Sequence, residues 1–277
     1  MATIVKSNKN VIAANVPITI EAPEQMLYAI KEVFAGEYEP GYFGEELNIL
    51  DLGANVGSFS LWANLRWPRS IVYAYEPHPG TFAILKRNTA SFDNIRPVNA
   101  AVFPTETERV LYFGRFDGDG EAGVADCMTA TFSHLDSENT FSVSALHPRE
   151  LPPADIIKVD VEGAEVGILK NMNLSAAALI LVEYQNDANR ADIKDILKEQ
   201  FVLEFEDEFA WDDLLSHKEY RADLAGNHWG RMFFVRREQD KLQRLARPRS
   251  HLEPIKPKSE RKSWRDFVHR LAVRLRP

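Results

Sequence analysis

The sequence predicts an α/β protein built on an open sheet whose first five strands run parallel. Three observations carry that expectation. Short β-branched runs alternate with amphipathic segments through the middle of the chain, the pattern of strands joined by helical crossovers. The first of those runs passes through a glycine turn straight into a helix. The 277 residues are 45% hydrophobic and 27% charged, the balance of a soluble globular protein with one large core or two modest ones.

Taken in order, Pro23 to Phe34 reads as a helix with proline near its start, where the missing N–H is not needed. Asn48 to Leu52 is the first strand and Ser58 to Leu65 its helix, followed by Ile71 to Glu76, the helix Thr81 to Ala90, and Ile95 to Asn99. Asp155 to Asp160 and Ala178 to Glu183 are the next strands, with helices at Glu165 to Met172 and Asp192 to Glu199. Phe201 to Phe205 and Met232 to Arg236 complete the set. Two stretches fall outside this repeating unit. Phe116 to Phe132, with Asp-Gly-Asp-Gly-Glu, reads as a mobile insertion. Glu206 to Gly230 carries Trp211, Asp212, Asp213, His217, His228 and Trp229, and overhangs one sheet edge if the last two strands form a hairpin.

Charge divides sharply along the chain. Residues 241–277 hold 12 Lys/Arg against 3 Asp/Glu, a net +9, so within a total of −8 the first 240 residues carry −17. An acidic body repels a phosphate backbone, which argues against nucleic acid as partner. The single cysteine, Cys127, excludes an internal disulfide framework and a Cys-based zinc cluster, in keeping with a reducing cytoplasm. No apolar run approaches the ~20 residues of a bilayer span, and Met1 to Ile20 is broken by Lys6, Lys9, Asn10, Asn15 and Pro17, so neither a span nor a signal peptide is expected.

The chemistry concentrates in Asp51-Leu52-Gly53-Ala54-Asn55-Val56-Gly57. Glycines there permit a tight turn and close approach to a ligand, and the following helix offers free N–H groups. A dinucleotide turn would read G-x-G-x-x-G, whereas here the spacing is G-x-x-x-G with Asn55 between, which weakens a nicotinamide reading. Asp51 before the turn suits a cofactor bearing an ammonium, directly or through water. S-adenosylmethionine has that group and NAD does not. Glu76, 19 residues beyond Gly57, is placed to accept from both ribose hydroxyls.

Tyr38-Glu39, DLGANVGSFS at residues 51–60, Tyr75-Glu76-Pro77 with Asn88, Asn99-Ala100-Ala101-Val102, and DIIKVDVEGAE at residues 155–165 followed by Leu169-Lys170 together resemble the FkbM-type methyltransferase family. The resemblance spans about half of the chain, from Tyr38 to Glu183. It implies a class I Rossmann-like methyltransferase fold, with a seven-stranded sheet whose last strand is antiparallel. It also implies S-adenosylmethionine as donor and a hydroxyl acceptor on a glycan or natural product. By that resemblance Asp51, Gly53, Asn55 and Gly57 hold the methionine part and Glu76 the ribose, with Pro77, His78 and Ala101 alongside. Relatives often carry Thr-Leu-Asp before the VEGAE strand; here the nearest stretch is Ser142-Val143-Ser144-Ala145, without the carboxylate.

A hydroxyl acceptor needs a base or a metal, because its pKa lies far above neutrality. Asp160 and Glu183 end neighbouring strands about 4.8 Å apart and can reach one hard cation, such as Mg2+, or one acceptor hydroxyl. Glu162 falls in the turn beside the crevice as a substrate contact. Glu165, in the first helical turn, complements the helix dipole. Lys158, within an apolar strand, reads as an edge contact or a snorkelling side chain with no chemistry. His228 is the preferred base if no metal is used, His78 a contact to the cofactor's edge, and Trp211 and Trp229 stacking surfaces for the acceptor or core residues.

The expected organisation is an N-terminal segment and helix (1–45), a cofactor-binding catalytic domain (46–240), and a basic, Pro-containing tail (241–277). In the tail, Trp264, Phe267, Val268, Leu271 and Leu275 recur at helical spacing behind Ser263. A helix at 263–275 of this kind suits either an anionic membrane surface, on the cytoplasmic side, or packing on the body or a second subunit. Two rival readings are an NAD(P)-dependent oxidoreductase and a non-catalytic cofactor-binding module.

Overall fold

The computed structural model describes residues 4–11, 16–23, 27–41, 46–113, 123–124, 140–210 and 227–237. A hairpin of β1 (Ile4–Val11) and β2 (Val16–Pro23) leads into helix α1 (Leu27–Phe34). There follow β3 (Asn48–Leu52), α2 (Ser58–Arg66), β4 (Ile71–Tyr75), α3 (Pro79–Thr89) and β5 (Ile95–Val98). Four strands then form a smaller unit, β6 (Ala101–Val102), β7 (Arg109–Phe113), β8 (Gly123–Val124) and β9 (Thr140–Leu146). The main sheet resumes with β10 (Ile156–Val159), α4 (Glu165–Asn171), β11 (Leu179–Tyr184), α5 (Asp187–Leu197), β12 (Phe201–Glu206), β13 (Phe209–Ala210) and β14 (His228–Arg236).

Its order is β12-β14-β11-β10-β3-β4-β5, with the short β13 also paired to β14. From β11 to β5 all neighbours are parallel, while β14 is antiparallel to both β11 and β12. This is the class I Rossmann-like methyltransferase arrangement, with the last strand antiparallel. Pro97 lies in β5, at a sheet edge, where a missing ladder N–H is tolerated. The chain builds outward from β3 to β5 and then returns to add β10 beside β3. The order therefore reverses between β3 and β10, and a crevice opens beyond the carboxyl ends of strands at such a point.

Alternation within the strands feeds two cores. Ile49, Val72, Ile156, Leu179 and Leu181 pack with Ile30 of α1, Phe59 and Leu61 of α2 and Ile84 of α3. On the opposite face Leu50, Leu52, Ile157, Val159, Ile180 and Val182 meet Ile168 of α4 and Ile193 and Leu197 of α5. Burying each such side chain contributes roughly 1.5–3 kcal/mol against the entropy of ordering.

Several boundaries differ from those the sequence suggests. Pro23 ends a strand and α1 starts at Leu27. The alternation of Ile18, Ile20 and Ala22, all buried, makes β2 a strand, and the Asn88 side chain clamps the main chain of Glu21 at 2.9 Å in both directions. Helix α5 begins at Asp187, not Asp192, because Asn186 caps it by accepting from Asn189 N, whereas the buried stripe starts only at Ile193. Strand β14 begins at His228, four residues before Met232, extended by its pairing to β13. Strands β7 and β9 pair antiparallel on either side of the expected insertion. Of Phe116 to Phe132, only Gly123–Val124 are among the described residues. Trp211, His217, Cys127 and the tail helix at 263–275 lie outside them.

Candidate active site

The turn after β3 owes its shape to left-handed backbone at Gly53 (φ 77°), Asn55 (φ 51°) and Gly57 (φ 92°). Asparagine tolerates that region better than other side chains. A Cβ on Gly53 would lie 1.7 Å from the main-chain oxygen of Asp160, and one on Gly57 would lie 2.8 Å from Leu85 Cδ1. The close approach that these glycines permit is thus to the protein itself, where the sequence suggested a ligand. No side chain caps α2 at Gly57.

Glu76, at the end of β4 and 5% exposed, holds the turn from the other side. Its Oε2 accepts from Asn55 N at 2.9 Å and its Oε1 from His78 N at 2.8 Å. Burial pushes its carboxyl up to about 7, against the pull of those two main-chain donors. Each oxygen keeps a second lone pair for a hydroxyl donor. His78 caps α3, its Nδ1 accepting from Thr81 N at 3.1 Å, and burial lowers its pKa. Pro77 O accepts from the Asn99 side chain. Ala101 packs with Val110, Val143 and Ala145 inside the smaller unit, 2% exposed, and offers a ligand almost no surface.

Asp51 is wholly buried. Its Oδ2 accepts from Ser60 Oγ at 2.6 Å, and its Oδ1 lies 3.3 Å from Lys158 Nζ. The sequence suggested that this carboxylate would meet a donor's ammonium, but Lys158 supplies one from within the chain. Nor is Lys158 at an edge or snorkelling. It sits on the central strand β10, opposite Asp51 in the register and 3% exposed. Its ammonium donates to Gly53 O at 3.0 Å, lies 3.2 Å from Asp160 Oδ2, and stands over the rings of Tyr38 and Phe59. Burial pulls the Lys158 pKa down, yet the carboxylates of Asp160 and Asp51 outweigh it and hold the group above its ordinary value.

Beyond β10 the chain turns through Glu162, a non-glycine residue at φ 59°. Buried Glu165 fixes that turn, its Oε1 accepting from Val161 N at 3.2 Å and Gly163 N at 2.9 Å. It acts on the turn's N–H groups as well as at the helix start. Burial raises its pKa to about 7 despite these bonds.

The register pairs Val159 with Val182, which sets Asp160 next to Glu183 at the ends of β10 and β11. Each of Asp160, Glu162 and Glu183 offers a carboxylate oxygen, and these oxygens all lie within 4.8 Å of one another. Burial, then the charges of Asp160, Glu162 and Glu37, raise the Glu183 pKa well above the ordinary carboxylate range, with Arg231 opposing.

Two further residues, Tyr38 and Arg231, stand beside this cluster. Tyr38 donates to Asp160 Oδ2 at 3.4 Å across 122 positions and packs edge-on against Phe59. Burial and the nearby carboxylates raise its pKa, so it remains a donor. Arg231, opposite Glu183 on β14, donates to Glu37 Oε1 at 2.6 Å and to Asp207. Only Tyr38 left a signal in the sequence, in the Tyr38-Glu39 motif.

His228 is not brought into this cluster. Since Arg231 faces Glu183 and Gly230 faces Tyr184, residue 228 falls beyond the end of β11. There its Nδ1 lies 3.0 Å from Asp187 Oδ2, near Glu208. The bond to Asp187 raises its pKa. Trp229 packs on Phe209 with ring centroids 4.9 Å apart.

The family model described as "Methyltransferase FkbM domain" matches residues 51–222. Among curated proteins, the chain is 28% identical over 199 residues to "Methyltransferase sdnD" of Sordaria araneosa, covering 57% of this chain and 77% of that one. It is 26% identical over 166 residues to "Hexuronic acid methyltransferase AglP" of Haloferax volcanii, covering 56% and 63%. Among solved structures, TYW2 of M. jannaschii in complex with AdoMet is 11% identical, covering 85% of this chain and 86% of that one, at a TM-score of 0.42. That last likeness is too remote to bear on this chain's ligand or chemistry.

Proposed function

This chain belongs to the FkbM methyltransferase family, and we propose that it transfers the methyl group of S-adenosylmethionine to a hydroxyl of a glycan or natural-product acceptor. The observation that carries the hydroxyl reading is the cluster of Asp160, Glu162 and Glu183 at the ends of adjacent strands, directly against the Gly53 turn. Support for a glycan acceptor comes from the name of the Haloferax relative.

The residues that fit the donor are those around the order reversal between β3 and β10. The turn 53–57 and the uncapped start of α2 would face its amino-acid end, and the remaining lone pairs of Glu76 its ribose. Asp51 does not fit as a direct contact, being wholly buried. When bound, the donor supplies an electrophilic methyl on a sulfonium. The chain's own residues orient the acceptor in line and take its proton. A strand-end carboxylate would take the hydroxyl proton as the acceptor oxygen gains the methyl and the donor sulfur leaves as a neutral thioether. Burial and the neighbouring carboxylates raise the Glu183 pKa, so once deprotonated it is a stronger base than an ordinary carboxylate. The three carboxylates also form an all-oxygen donor set that suits a hard divalent cation such as Mg2+.

The test is a transfer assay with methyl-labelled donor against extracted glycans and metabolites, with and without chelator, beside calorimetry with S-adenosylhomocysteine and with NAD. Label on a hydroxyl oxygen, lost in Glu183→Gln, is the expected result. Binding of NAD alone would overturn the reading.

A further inference from the structure

Among the described residues, Lys158 is the one ammonium that touches the Gly53 carbonyl, the buried end of β3 and the acid-bearing end of β10 together. These contacts come from the turn after β3 and from the carboxylates of Asp51 and Asp160. On Asp160 they fall on Oδ2, the same oxygen to which Tyr38 donates, which leaves Oδ1 to other partners. The ammonium donates to Gly53 O and stands at ion-pair distance from Asp51 Oδ1 and Asp160 Oδ2. The rings of Tyr38 and Phe59, 5.7 and 5.9 Å from Nζ, wall it off further.

We propose that Lys158 is a positioning residue that braces the donor turn and Asp160 as a single unit, and that Asp51 acts only through it. The inference rests on the functional reading above. It departs from the expectation drawn from the sequence, that Asp51 meets the donor's amino group directly or through water. Burial closes Asp51 to such contact: it is wholly buried, Ser60 donates to its Oδ2, and its Oδ1, which accepts no hydrogen bond from the described residues, has Lys158 Nζ 3.3 Å away. A braced Gly53 carbonyl matters because the residue sits at φ 77° with no side chain to lock it. Loss of the ammonium frees that carbonyl and at the same time leaves Asp160 Oδ2 to Tyr38.

The position makes a specific prediction about which part of the donor is affected. Lys158 lies at the amino-acid side of the turn, whereas Glu76 serves the ribose side from β4. Removing the ammonium weakens a ligand that carries the amino acid and spares one that lacks it. A purely structural role would weaken both alike.

The experiment measures calorimetric affinities of the full chain for S-adenosylhomocysteine and for methylthioadenosine, which lacks the amino-acid end, together with melting temperature. Asp51→Asn keeps the Ser60 bond and leaves Lys158 on Gly53 and Asp160; its affinity for S-adenosylhomocysteine is expected to stay within about threefold of wild type. Lys158→Met strands a buried carboxylate and can fail to fold, so Asp51→Asn/Lys158→Met, which removes both charges, is measured beside it. In the double variant, S-adenosylhomocysteine affinity is expected to fall at least about tenfold while methylthioadenosine stays within about twofold. Parallel loss of both ligands, loss of neither, or a loss in Asp51→Asn equal to that of the double variant would overturn the proposal. Wild-type protein that binds neither ligand overturns the functional reading itself, and with it this inference.

Discussion

The α-carbon of Gly53 faces the main-chain oxygen of Asp160 so closely that a methyl group there would lie 1.7 Å from it. Two strand ends, one leading into the glycine turn and one carrying an acid of the cluster, are thereby fixed against each other through bare backbone. Gly53→Ala is therefore expected to cost at least about 3 kcal/mol of stability, since neither main chain can yield and φ is 77°. Gly57→Ala presses on the flexible tip of Leu85 and touches Thr89 Cγ2 at an ordinary 3.5 Å, so its cost is expected near the ~1–2 kcal/mol of the left-handed backbone alone. Urea denaturation of both variants checks this; equal costs would contradict the backbone contact.

Buried Glu165 gives the fold a pH dependence of defined sign. Its carboxyl is raised from 4.5 to about 7, so the folded state binds the proton more tightly than the unfolded one. That contribution is complete below pH 4.5 and is lost as pH rises through 7. It amounts to about 3 kcal/mol at most. Glu165→Gln keeps an acceptor for Val161 and Gly163 N–H and removes the titration. Its stability, followed by urea melts from pH 5 to pH 8, is expected to fall less steeply than that of wild type. An unchanged slope would assign the dependence elsewhere, to Glu76 first.

A divalent cation held by Asp160, Glu162 and Glu183 would compete with the proton on Glu183. Thermal shift with Mg2+ is expected to show stabilisation that grows with pH and vanishes in Glu183→Gln. Wild-type protein whose melting point ignores millimolar Mg2+ at pH 8 would exclude the metal and leave the carboxylates to act as bases alone.

His228 is paired to Asp187 at 3.0 Å and set apart from the carboxylate cluster. Its imidazole is expected to titrate above its ordinary 6.5 and to return toward it in Asp187→Asn, as read by NMR. The small stability the pair lends is present at acid pH and lost as pH rises through the raised value. On an acceptor found by the transfer assay, His228→Gln is expected to retain turnover within about tenfold, against a loss of 100-fold or more for Glu183→Gln. The opposite ranking would restore the histidine as base.

Much of this site could be read along the chain. The run 51–57, the acid ending β4 and the acids ending β10 and β11 each sit where a strand meets a turn, and strand-turn-helix chemistry is local. Helix α5 shows the limit of that approach. Its apolar stripe is visible from Ile193, but its start is decided by the Asn186 cap, a single polar bond that leaves no periodicity. The β1–β2 hairpin went unread because its lysines and asparagines look like an irregular leader until Ile18, Ile20 and Ala22 find α3 to cover them.

The sequence alone determined the sheet's parallel heart, the glycine turn and which acids stand at strand ends, because side-chain alternation and turn stereochemistry act over a few residues. Only the tertiary structure decided what those acids touch. Lys158 reads as a stray charge in an apolar strand until β3 and β10 lie side by side and place Asp51 opposite it. Tyr38 reaches Asp160 across 122 positions, and the antiparallel run of β14 carries His228 away while delivering Arg231. Burial and charge pairing depend on which elements become neighbours, and that depends on the order in which the strands assemble.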